Sequence, residues 1–194
     1  MASPLPSASL RSLIGAVSDL HSIDESEAFS TRAIRTSNSI VQGEINVYTE
    51  IDPAAGRVEL VADRGHSALA AVQSDFLRLQ HQHPGIKRQR QNGEFGVHTI
   101  SDLITNREWK ALDLFHDVYS KMGVEDQVVV SVPMPAPMAL GVTISRTRRG
   151  FKRSEITALE IYEKHFTRAY EMQQRWADQT WLTDRLSASR SPRE

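Results

Sequence analysis

Residues 126–145 read DQVVVSVPMPAPMALGVTIS, two runs rich in β-branched residues around three prolines in five positions. Proline has no backbone N–H to donate, so it is excluded from the centre of a sheet. The sequence therefore predicts strands at residues 126–132 and 138–145, joined by a rigid connection at 133–137. Because so short a connection can join only antiparallel neighbours, the two strands should form a hairpin.

A second hairpin is predicted upstream, at residues 44–61. Apolar or β-branched residues at 45, 47, 49 and 51 alternate with Glu44, Asn46, Tyr48 and Glu50, and the turn-forming residues 52–56 separate them from a second run at 57–61. Residues 95–100 predict one isolated strand. We therefore expect an α+β domain with a single antiparallel sheet of five to six strands.

Helices are predicted around these strands. The spacing of Leu10, Leu13, Ile14, Val17 and Leu20 predicts a first helix with one apolar stripe. A second should cover residues 24–38, with Phe29, Ala33 and Ile34 inward. A third should cover 67–82 and end before Pro84, because proline disfavours helix in the residue before it. The polar residues 87–93 are expected to form a mobile segment.

Two further helices follow. Thr105 and Glu108 have the spacing of a capping box, so a helix should start there and run to Met122, with Gly123 in the left-handed position past its end. The last helix is predicted at residues 153–186. At about 1.5 Å per residue it would be about 50 Å long, more than one small domain can cover.

Composition limits the function. The chain has 194 residues, 40% of them hydrophobic, a formal net charge of −1 and no cysteine. This size and charge balance predict one well-buried domain. The absence of cysteine fits a reducing compartment. Neither a signal peptide nor an apolar run long enough for a membrane is present in the sequence, so we expect a soluble cytoplasmic protein without membrane contact. The near-neutral charge argues against nucleic-acid binding by this segment.

Catalytic patterns are missing from the sequence: it contains no Gly-x-Ser-x-Gly elbow, phosphate-binding loop or dinucleotide fingerprint. His81 and His83 are two residues apart and would lie on different sides of a helix, which does not suit a metal site. His98 and His165 are explained by hydrogen bonding or packing. We therefore expect no catalytic residue, no metal and no cofactor, and a protein that is not an enzyme.

Five basic residues surround the turn at Gly150: Arg146, Arg148, Arg149, Lys152 and Arg153. Charged runs beside helix starts are usually solvated, and that interpretation is favoured here. The alternative is a docking patch for a DNA-binding domain or for phosphate groups.

Several short motifs occur in a specific order: His83-Pro84, Ser101-Asp102-Leu103, Gly123-Val124-Glu125-Asp126-Gln127, Arg146 through Phe151, and His165-Phe166 with Ala169-Tyr170. Together with the first hairpin, they resemble the amino-terminal GAF-like sensor domain of LuxR-type bacterial transcriptional regulators. The resemblance covers about residues 45–186. One position departs from the pattern, since Lys152 stands where the family commonly has a helix-capping Ser or Thr, and the cap is expected to weaken or to shift to Ser154.

The resemblance implies a GAF/PAS-like fold with a long carboxy-terminal helix and a regulatory function in signal sensing and dimerisation. Residues 186–194 resemble the linker and first residues of a LuxR-type helix-turn-helix, although a chance polar terminus is the alternative. The expected organisation is a sensor and dimerisation domain at 1–182, with 183–194 as the linker and start of a missing helix-turn-helix. DNA contact is expected only through that missing domain. The alternative function is a stand-alone ligand- or protein-interaction module that pairs with another regulator.

The resemblance also implies a small-molecule pocket between the sheet and its connecting helices, for a ligand that the sequence does not identify. The residues expected to line it are Tyr48 or its alternating neighbours, Phe76, His98, Ile100, Trp109, Phe115, Tyr119, Val128, Val130 and Leu140. A homodimer is expected through the end of the last helix, where apolar residues extend past the length that the domain can bury. These residues are Trp176, Trp181, Leu182 and Leu186.

Overall fold

The computed structural model describes residues 5–22, 26–63, 66–135 and 137–188 and has the expected α+β architecture. Its strands are β1 (Ile45–Asp52), β2 (Arg57–Ala62), β3 (Gly96–Thr99), β4 (Asp126–Ser131) and β5 (Ala139–Arg146). They form one five-stranded antiparallel sheet in the order β2-β1-β5-β4-β3. Both predicted hairpins are confirmed, and the pairing of β1 with β5 joins them into one sheet.

Helices cover both faces of the sheet. They are α1 (Ser7–Leu20), α2 (Phe29–Ile40), α3 (His66–Leu79), α4 (Pro84–Asn92), α5 (Ile100–Leu103), α6 (Asn106–Lys110) and α7 (Arg153–Ala188). Helices α1, α2 and α7 lie against one face, which we call the helix face. The connections between β2 and β4, which include α3 to α6, cover the opposite face.

The alternation of the strands divides the core into two parts. Tyr48 of β1, together with Val128 and Val130 of β4, packs on the helix face against Leu159 and Phe166 of α7. A second apolar cluster surrounds the fully buried Trp109 on the other side; its buried members include Val72, Ile100, Leu114, Phe115 and Tyr119. The sheet is therefore buried on both faces, which explains why Asn46 and Glu50 are buried as well as their apolar neighbours.

The apolar stripe predicted for α1 is only partly correct. Leu13 and Leu20 are buried, as expected, but Leu10 and Ile14 are 45% and 61% exposed. Helix α1 is the outermost element on the helix face, and it packs mainly against α2 and α7. One narrow side of the helix is therefore covered, and the rest of the stripe faces outward.

Residues 87–93 were expected to form a mobile segment, but residues 87–92 are part of helix α4 and Gly93 caps its end. The His83 side chain caps this helix: its Nδ1 accepts hydrogen bonds from the backbone N–H groups of Gly85 and Ile86. Pro84 occupies the first helical position, where its missing N–H costs nothing. Gly93 ends the helix in the left-handed conformation, at φ 66°.

The helix predicted from Thr105 to Met122 is interrupted. The Thr105–Glu108 capping box is present, but α6 ends at Lys110 and a π-helical turn, Phe115–Tyr119, follows after a break. The cause is the side chain of Gln82, whose Oε1 accepts the backbone N–H of Leu114 at 3.0 Å. A side chain inserted into the main-chain hydrogen-bond ladder breaks or kinks a helix.

The start of α7 compensates for the absence of a capping hydroxyl at Lys152. The Glu155 carboxylate accepts the backbone N–H of Lys152 at 2.7 Å, which is one half of a capping box. The same carboxylate binds the buried Arg146 guanidinium, with an Nη2–Oε1 distance of 2.9 Å, and Arg146 stacks on Phe151. Arg146 is therefore a structural residue and not part of an exposed basic patch.

A buried carboxylate organises the start of β4. Asp126 is fully buried, and its Oδ1 accepts the backbone N–H groups of Ser101 at 3.2 Å and of Gln127 at 2.9 Å. Its Oδ2 accepts the backbone N–H of Gly150 at 2.9 Å. One side chain thus fixes the start of β4, helix α5 and the turn that leads into α7.

Removing this carboxylate should destabilise the domain. Asp126→Ala leaves three backbone N–H donors without this acceptor, one of them buried and two partly buried, so the free energy of unfolding should fall by about 3 kcal/mol, measured by urea denaturation. Asp102→Ala is the control, because Asp102 is exposed in the same region. It should cost less than about 1 kcal/mol. Equal losses in the two variants would contradict the role given to Asp126.

Candidate functional site

An apolar cavity lies between the sheet and the connections that cover its second face. It contains about 790 Å³ of empty space, which includes its opening to solvent. Strands β1, β4 and β5 form the floor, and α3, α4 and the π-helical turn form the roof. The lining residues are Ile45, Val47, Thr49, Leu60, Leu69, Phe76, His83, Ile86, Gln89, Val118, Tyr119, Met122, Gln127, Val129, Ser131, Ala139, Leu140, Gly141, Thr143 and Ser145.

Strand register gives the cavity a direction. Paired residues form successive rows across the floor: Thr49 with Gly141 and Ser131, then Val47 with Thr143 and Val129, then Ile45 with Ser145 and Gln127. Ala139 lies beyond the first row. At about 3.3 Å per residue, the six steps from Ala139 to Ser145 span about 20 Å. The floor is therefore elongated, with Gln127 and Ser145 at one end and Ala139 at the other.

Polar side chains are concentrated at the Gln127 end. The Gln127 Oε1 lies 3.0 Å from His83 Nε2, and the Gln127 Nε2 donates to Ser145 Oγ at 2.9 Å. The Gln127 side chain also hydrogen-bonds Tyr119. We call these four residues the polar end of the cavity.

His83 is held neutral in this network. Its Nδ1 accepts two backbone N–H groups, so the ring proton is on Nε2 and is donated to Gln127. Burial lowers the pKa of His83 to about 4, and the hydrogen bond to Gln127 opposes that shift. The imidazole is therefore an uncharged part of the cavity wall at neutral pH.

Tyr119 is the aromatic member of the polar end. Its ring centroid lies 4.9 Å from that of Trp109 and 6.0 Å from that of His83. Burial raises the pKa of its phenol, which therefore stays protonated at neutral pH. With His83 neutral as well, every side chain that lines the cavity within the described residues is uncharged.

Gly141 is a floor position without a side chain. A Cβ atom on this residue would lie 2.5 Å from the carbonyl oxygen of Val130, closer than real Cβ atoms approach. Glycine therefore allows β5 and β4 to pack tightly here. In the neighbouring row of the floor, Val129 and Thr143 are partly exposed although they lie in the middle of the sheet, because they face the cavity.

Two of the predicted pocket residues, Phe76 and Tyr119, lie at the cavity, and a third, Leu140, borders it although it also belongs to the core of the helix face. Tyr48, Val128 and Val130 do not line it, because the pleat turns them to the helix face. Ile100, Trp109 and Phe115 pack in the cluster behind the roof. The remaining residue, His98, lies in β3 with its Nε2 3.2 Å from the carbonyl oxygen of Phe95, outside the cavity lining.

Sequence reasoning missed His83 and Gln127 as cavity residues. His83 was interpreted only as part of a helix-terminal polar pair, and Gln127 only as a member of a strand motif. A usable signal was present in the alternation of β1. If Tyr48 faces one side, then Val47 and Thr49 face the other, and the polar residues of β4 with the same orientation are Gln127 and Ser131.

The described residues contain neither a candidate metal site nor a membrane-spanning helix. That part of the chain contains no group of three or more His, Cys, Asp or Glu side chains placed to hold a metal ion. None of its helices is long and apolar enough to cross a membrane.

The fold is similar to solved domains of LuxR-type regulators. The VqsR ligand-binding domain of Pseudomonas aeruginosa gives a TM-score of 0.57 at 14% identity, covering 84% of this chain and 94% of that chain. CepR2 of Burkholderia cenocepacia, an N-acylhomoserine lactone-dependent LuxR family transcription factor, gives 0.58 at 14% identity, over 86% and 94%. SdiA in complex with octanoyl-rac-glycerol gives 0.59 at 11% identity, over 90% and 69%.

No protein-family model matches the chain, and no curated protein is significantly similar to it in sequence. The structural similarity therefore rests on the fold. It confirms the fold that the motifs implied, which is that of the ligand-binding domains of LuxR-type regulators. These structural neighbours are regulatory domains and not enzymes.

The neutral state of His83 predicts a pH dependence of stability. Its pKa is about 4 in the folded protein against 6.5 for the free side chain, so the unfolded chain takes up the proton first as the pH falls. Stability should therefore be complete above pH 6.5 and decrease toward pH 4. Between pH 7.5 and pH 5 this group should contribute a loss of about 2 kcal/mol, measured by urea denaturation.

His83→Asn is the matched variant, since asparagine also caps helices but does not titrate. Its loss of stability over the same pH interval should be smaller than that of the wild type by about 2 kcal/mol. His21, whose pKa is also lowered, first by burial and then by His165 and Arg168, contributes equally in both proteins. An unchanged pH dependence in the variant would show that His83 is not held neutral by the fold.

Proposed function

We propose that this chain is the signal-sensing domain of a LuxR-type transcriptional regulator and that it binds an uncharged amphiphilic small molecule in the cavity. The observation that carries the proposal is the elongated apolar cavity with one polar end. Ligand sites of this kind are mostly apolar, with a few polar groups that fix orientation. The fold shared with ligand-binding domains of LuxR-type regulators supports the same function.

The polar end favours a ligand with a carbonyl group. The Gln127 amide donates to the Ser145 hydroxyl, which keeps its own hydrogen for another acceptor. An ester, amide or lactone oxygen would accept this hydrogen. A carboxylate would be a poor ligand, because a buried charge without a cationic partner is strongly unfavourable.

The cavity floor is connected to α7 through a buried carboxylate. Glu50 follows the floor residue Thr49 and points to the helix face, where it accepts hydrogen bonds from Tyr48 at 2.7 Å and from Tyr170 of α7 at 3.1 Å. The guanidinium of Arg57 lies 3.2 Å from the same carboxylate. Burial and Glu50 raise the pKa of Tyr170 to about 12, so it remains a donor. A ligand that shifts β1 would thereby shift the contact with α7.

Binding is testable with 1-octanoyl-glycerol, a neutral amphiphile related to the molecule bound by SdiA. We expect saturable binding by isothermal titration calorimetry and a raised Tm. Octanoate, which has the same tail and a carboxylate, should bind more weakly by at least about tenfold. Equal affinity for the two compounds would contradict an uncharged ligand, and no binding of either would contradict this ligand class.

A cavity-filling variant locates the site. Val129→Phe places a larger side chain in the middle of the floor and should weaken binding of 1-octanoyl-glycerol by at least about tenfold. Val58→Phe is the matched control on the exposed surface of β2, 44% accessible, and should bind like the wild type. If both variants bind equally well, the molecule lies elsewhere.

Dimerisation and the attached domain belong to the same proposal. Residues 1–182 would form the sensor and dimerisation unit, with 183–194 leading into a helix-turn-helix that contacts DNA. Exposed apolar residues on the neighbouring helices α1 and α7 support a second copy as partner: Leu10, Ile14 and Met172, with Trp176 46% exposed. The side chains of Trp181, Leu182 and Leu186, also expected at the interface, lie outside the described part of the chain.

We therefore expect a dimer in sedimentation equilibrium at micromolar concentration. The double variant Ile14→Glu with Met172→Glu introduces charges on both helices and should shift the protein to a monomer without lowering its helix content. Val58→Glu, a charge at an exposed apolar position on the sheet edge, should leave the dimer intact. A monomeric wild type would contradict dimerisation through this surface.

A further inference from the structure

Strand β2 forms one edge of the sheet, and half of its backbone groups face outward. The N–H of Asp63, just past its end, donates to the carbonyl oxygen of Asn46 at 3.1 Å. Because bonded and free positions alternate along an antiparallel pair, the odd-numbered residues of β2 bind β1 and the even-numbered ones point away from it. No described part of the backbone pairs with β2 on that side. The free positions are Val58, Leu60 and Ala62.

This edge is regular and accessible. All six residues of β2 pair with β1 without a bulge, and none of them is proline. Val58 is 44% exposed, and its neighbours Arg57 and Glu59 are exposed too. An edge without these interruptions can accept another strand.

A groove beside the edge would receive side chains of such a strand. It contains about 860 Å³ of empty space, which includes its opening to solvent, and lies between α2 and the end of β2. Ile34 of α2 and Val61 of β2 give it apolar walls. Val61 lies on the helix face, as its partner Tyr48 in β1 does. An added strand would therefore direct every second side chain toward this groove.

Two guanidinium groups at this edge already have acidic partners, since each is shared by two carboxylates. The groups are Arg57 with Glu50 at 3.2 Å and Asp52 at 3.8 Å, and Arg35 with Asp19 at 2.8 Å and Glu27 at 3.0 Å.

Two other carboxylates at the edge have no cationic partner among the described residues. Glu59 is exposed and forms no side-chain hydrogen bond with that part of the chain, and Asp63 accepts its hydrogen bonds from Asn46. Both lie on the helix-face side of the strand, with Val61 between them. The edge is therefore acidic and complements a cationic partner.

We propose that β2 docks an extended cationic peptide segment of another protein, which adds a sixth strand antiparallel to it. Basic side chains of the segment lie beside Glu59 and Asp63, and an apolar side chain between them enters the groove at Val61. Main-chain hydrogen bonds to the free positions of β2 supply affinity, while the charges and the groove select the sequence. This interaction does not require a ligand in the cavity.

The probe is the hexapeptide Lys-Thr-Leu-Thr-Lys-Val, amidated and carrying a fluorophore at its amino terminus. Paired antiparallel with β2, it places its lysines opposite Asp63 and Glu59 and its leucine opposite Val61. We expect saturable binding to the wild type, measured by fluorescence anisotropy. A peptide with glutamate in place of both lysines should bind at least about tenfold more weakly.

N-methylation of the peptide tests the main-chain pairing. The two threonines point their N–H groups at β2, so methylating both should weaken binding at least about tenfold. The N–H groups of the leucine and the second lysine point away from β2. Methylating those two is the matched control and should change affinity by less than about threefold.

Two protein variants locate the site. Val58→Pro removes an outward N–H but none of the bonds between β1 and β2, so it should keep the wild-type circular dichroism and bind the peptide at least about fivefold more weakly. Val58→Ala, which keeps the N–H, is its control. Glu59→Lys does not depend on tolerance of proline. It should weaken binding of the lysine peptide by about fivefold and strengthen binding of the glutamate peptide.

The proposal is overturned if the lysine peptide does not bind, if both peptides bind the wild type equally, or if the two methylation patterns weaken binding to the same extent. Unchanged binding to both Val58→Pro and Glu59→Lys would place the peptide elsewhere. If Val58→Pro changes the sedimentation of the protein without peptide, a second copy occupies the edge, and the proposal is also wrong. None of these results bears on binding of 1-octanoyl-glycerol in the cavity.

Discussion

The carboxylate of Asp126 is the constraint on which the rest of the structure depends. A buried charge is tolerated only when hydrogen bonds replace the water it has lost, and three backbone N–H groups from separate parts of the chain do this here. They fix helix α5, the turn before α7 and the first step of β4. The next residue, Gln127, can then meet His83 and Ser145 in the cavity. The polar end of the cavity thus depends on a carboxylate that does not line it.

Burial of the sheet on both faces gives each strand two functions. In β1, Thr49 faces the cavity and the next residue, Glu50, binds Tyr170 of α7. Because Thr49 and Glu50 are adjacent in the chain, the cavity side and the helix side of the sheet are connected here through a single peptide bond. Loss of the Tyr170 hydrogen bond would leave the buried carboxylate of Glu50 with fewer donors. The Glu50–Tyr170 contact therefore favours one defined position of α7. This arrangement fits the proposed sensing function, in which α7 would report the state of the cavity.

The sequence predicted the sheet because the evidence for it is local. Alternation in β1 and the prolines between β4 and β5 decide strand, turn and antiparallel pairing without knowledge of distant residues. The interruption after Lys110 could not be predicted in this way, since its cause, Gln82, is distant in sequence. Helix α4 was missed for a different reason: its cap is local, but it is the imidazole of His83, which is not among the usual capping side chains, and the helix that it starts is polar. In the pocket, the error was the choice of face, because both faces of β1 carry residues suited to burial.

Several of the motifs that carried the resemblance to LuxR-type sensors meet in hydrogen bonds around the start of β4. The Gln127 side chain hydrogen-bonds both His83 and Ser145. The Asp126 carboxylate accepts hydrogen bonds from the backbone, and Arg146 donates to Glu155. Such residues maintain the fold and the shape of the cavity end, so their presence predicts the architecture better than it predicts a ligand. The positions free to select a ligand are those with no role in the network, such as Val129 and Ala139. Proteins with the same motifs can therefore share this fold and differ in the molecule they bind, which agrees with a common architecture at sequence identities of 11 to 14%.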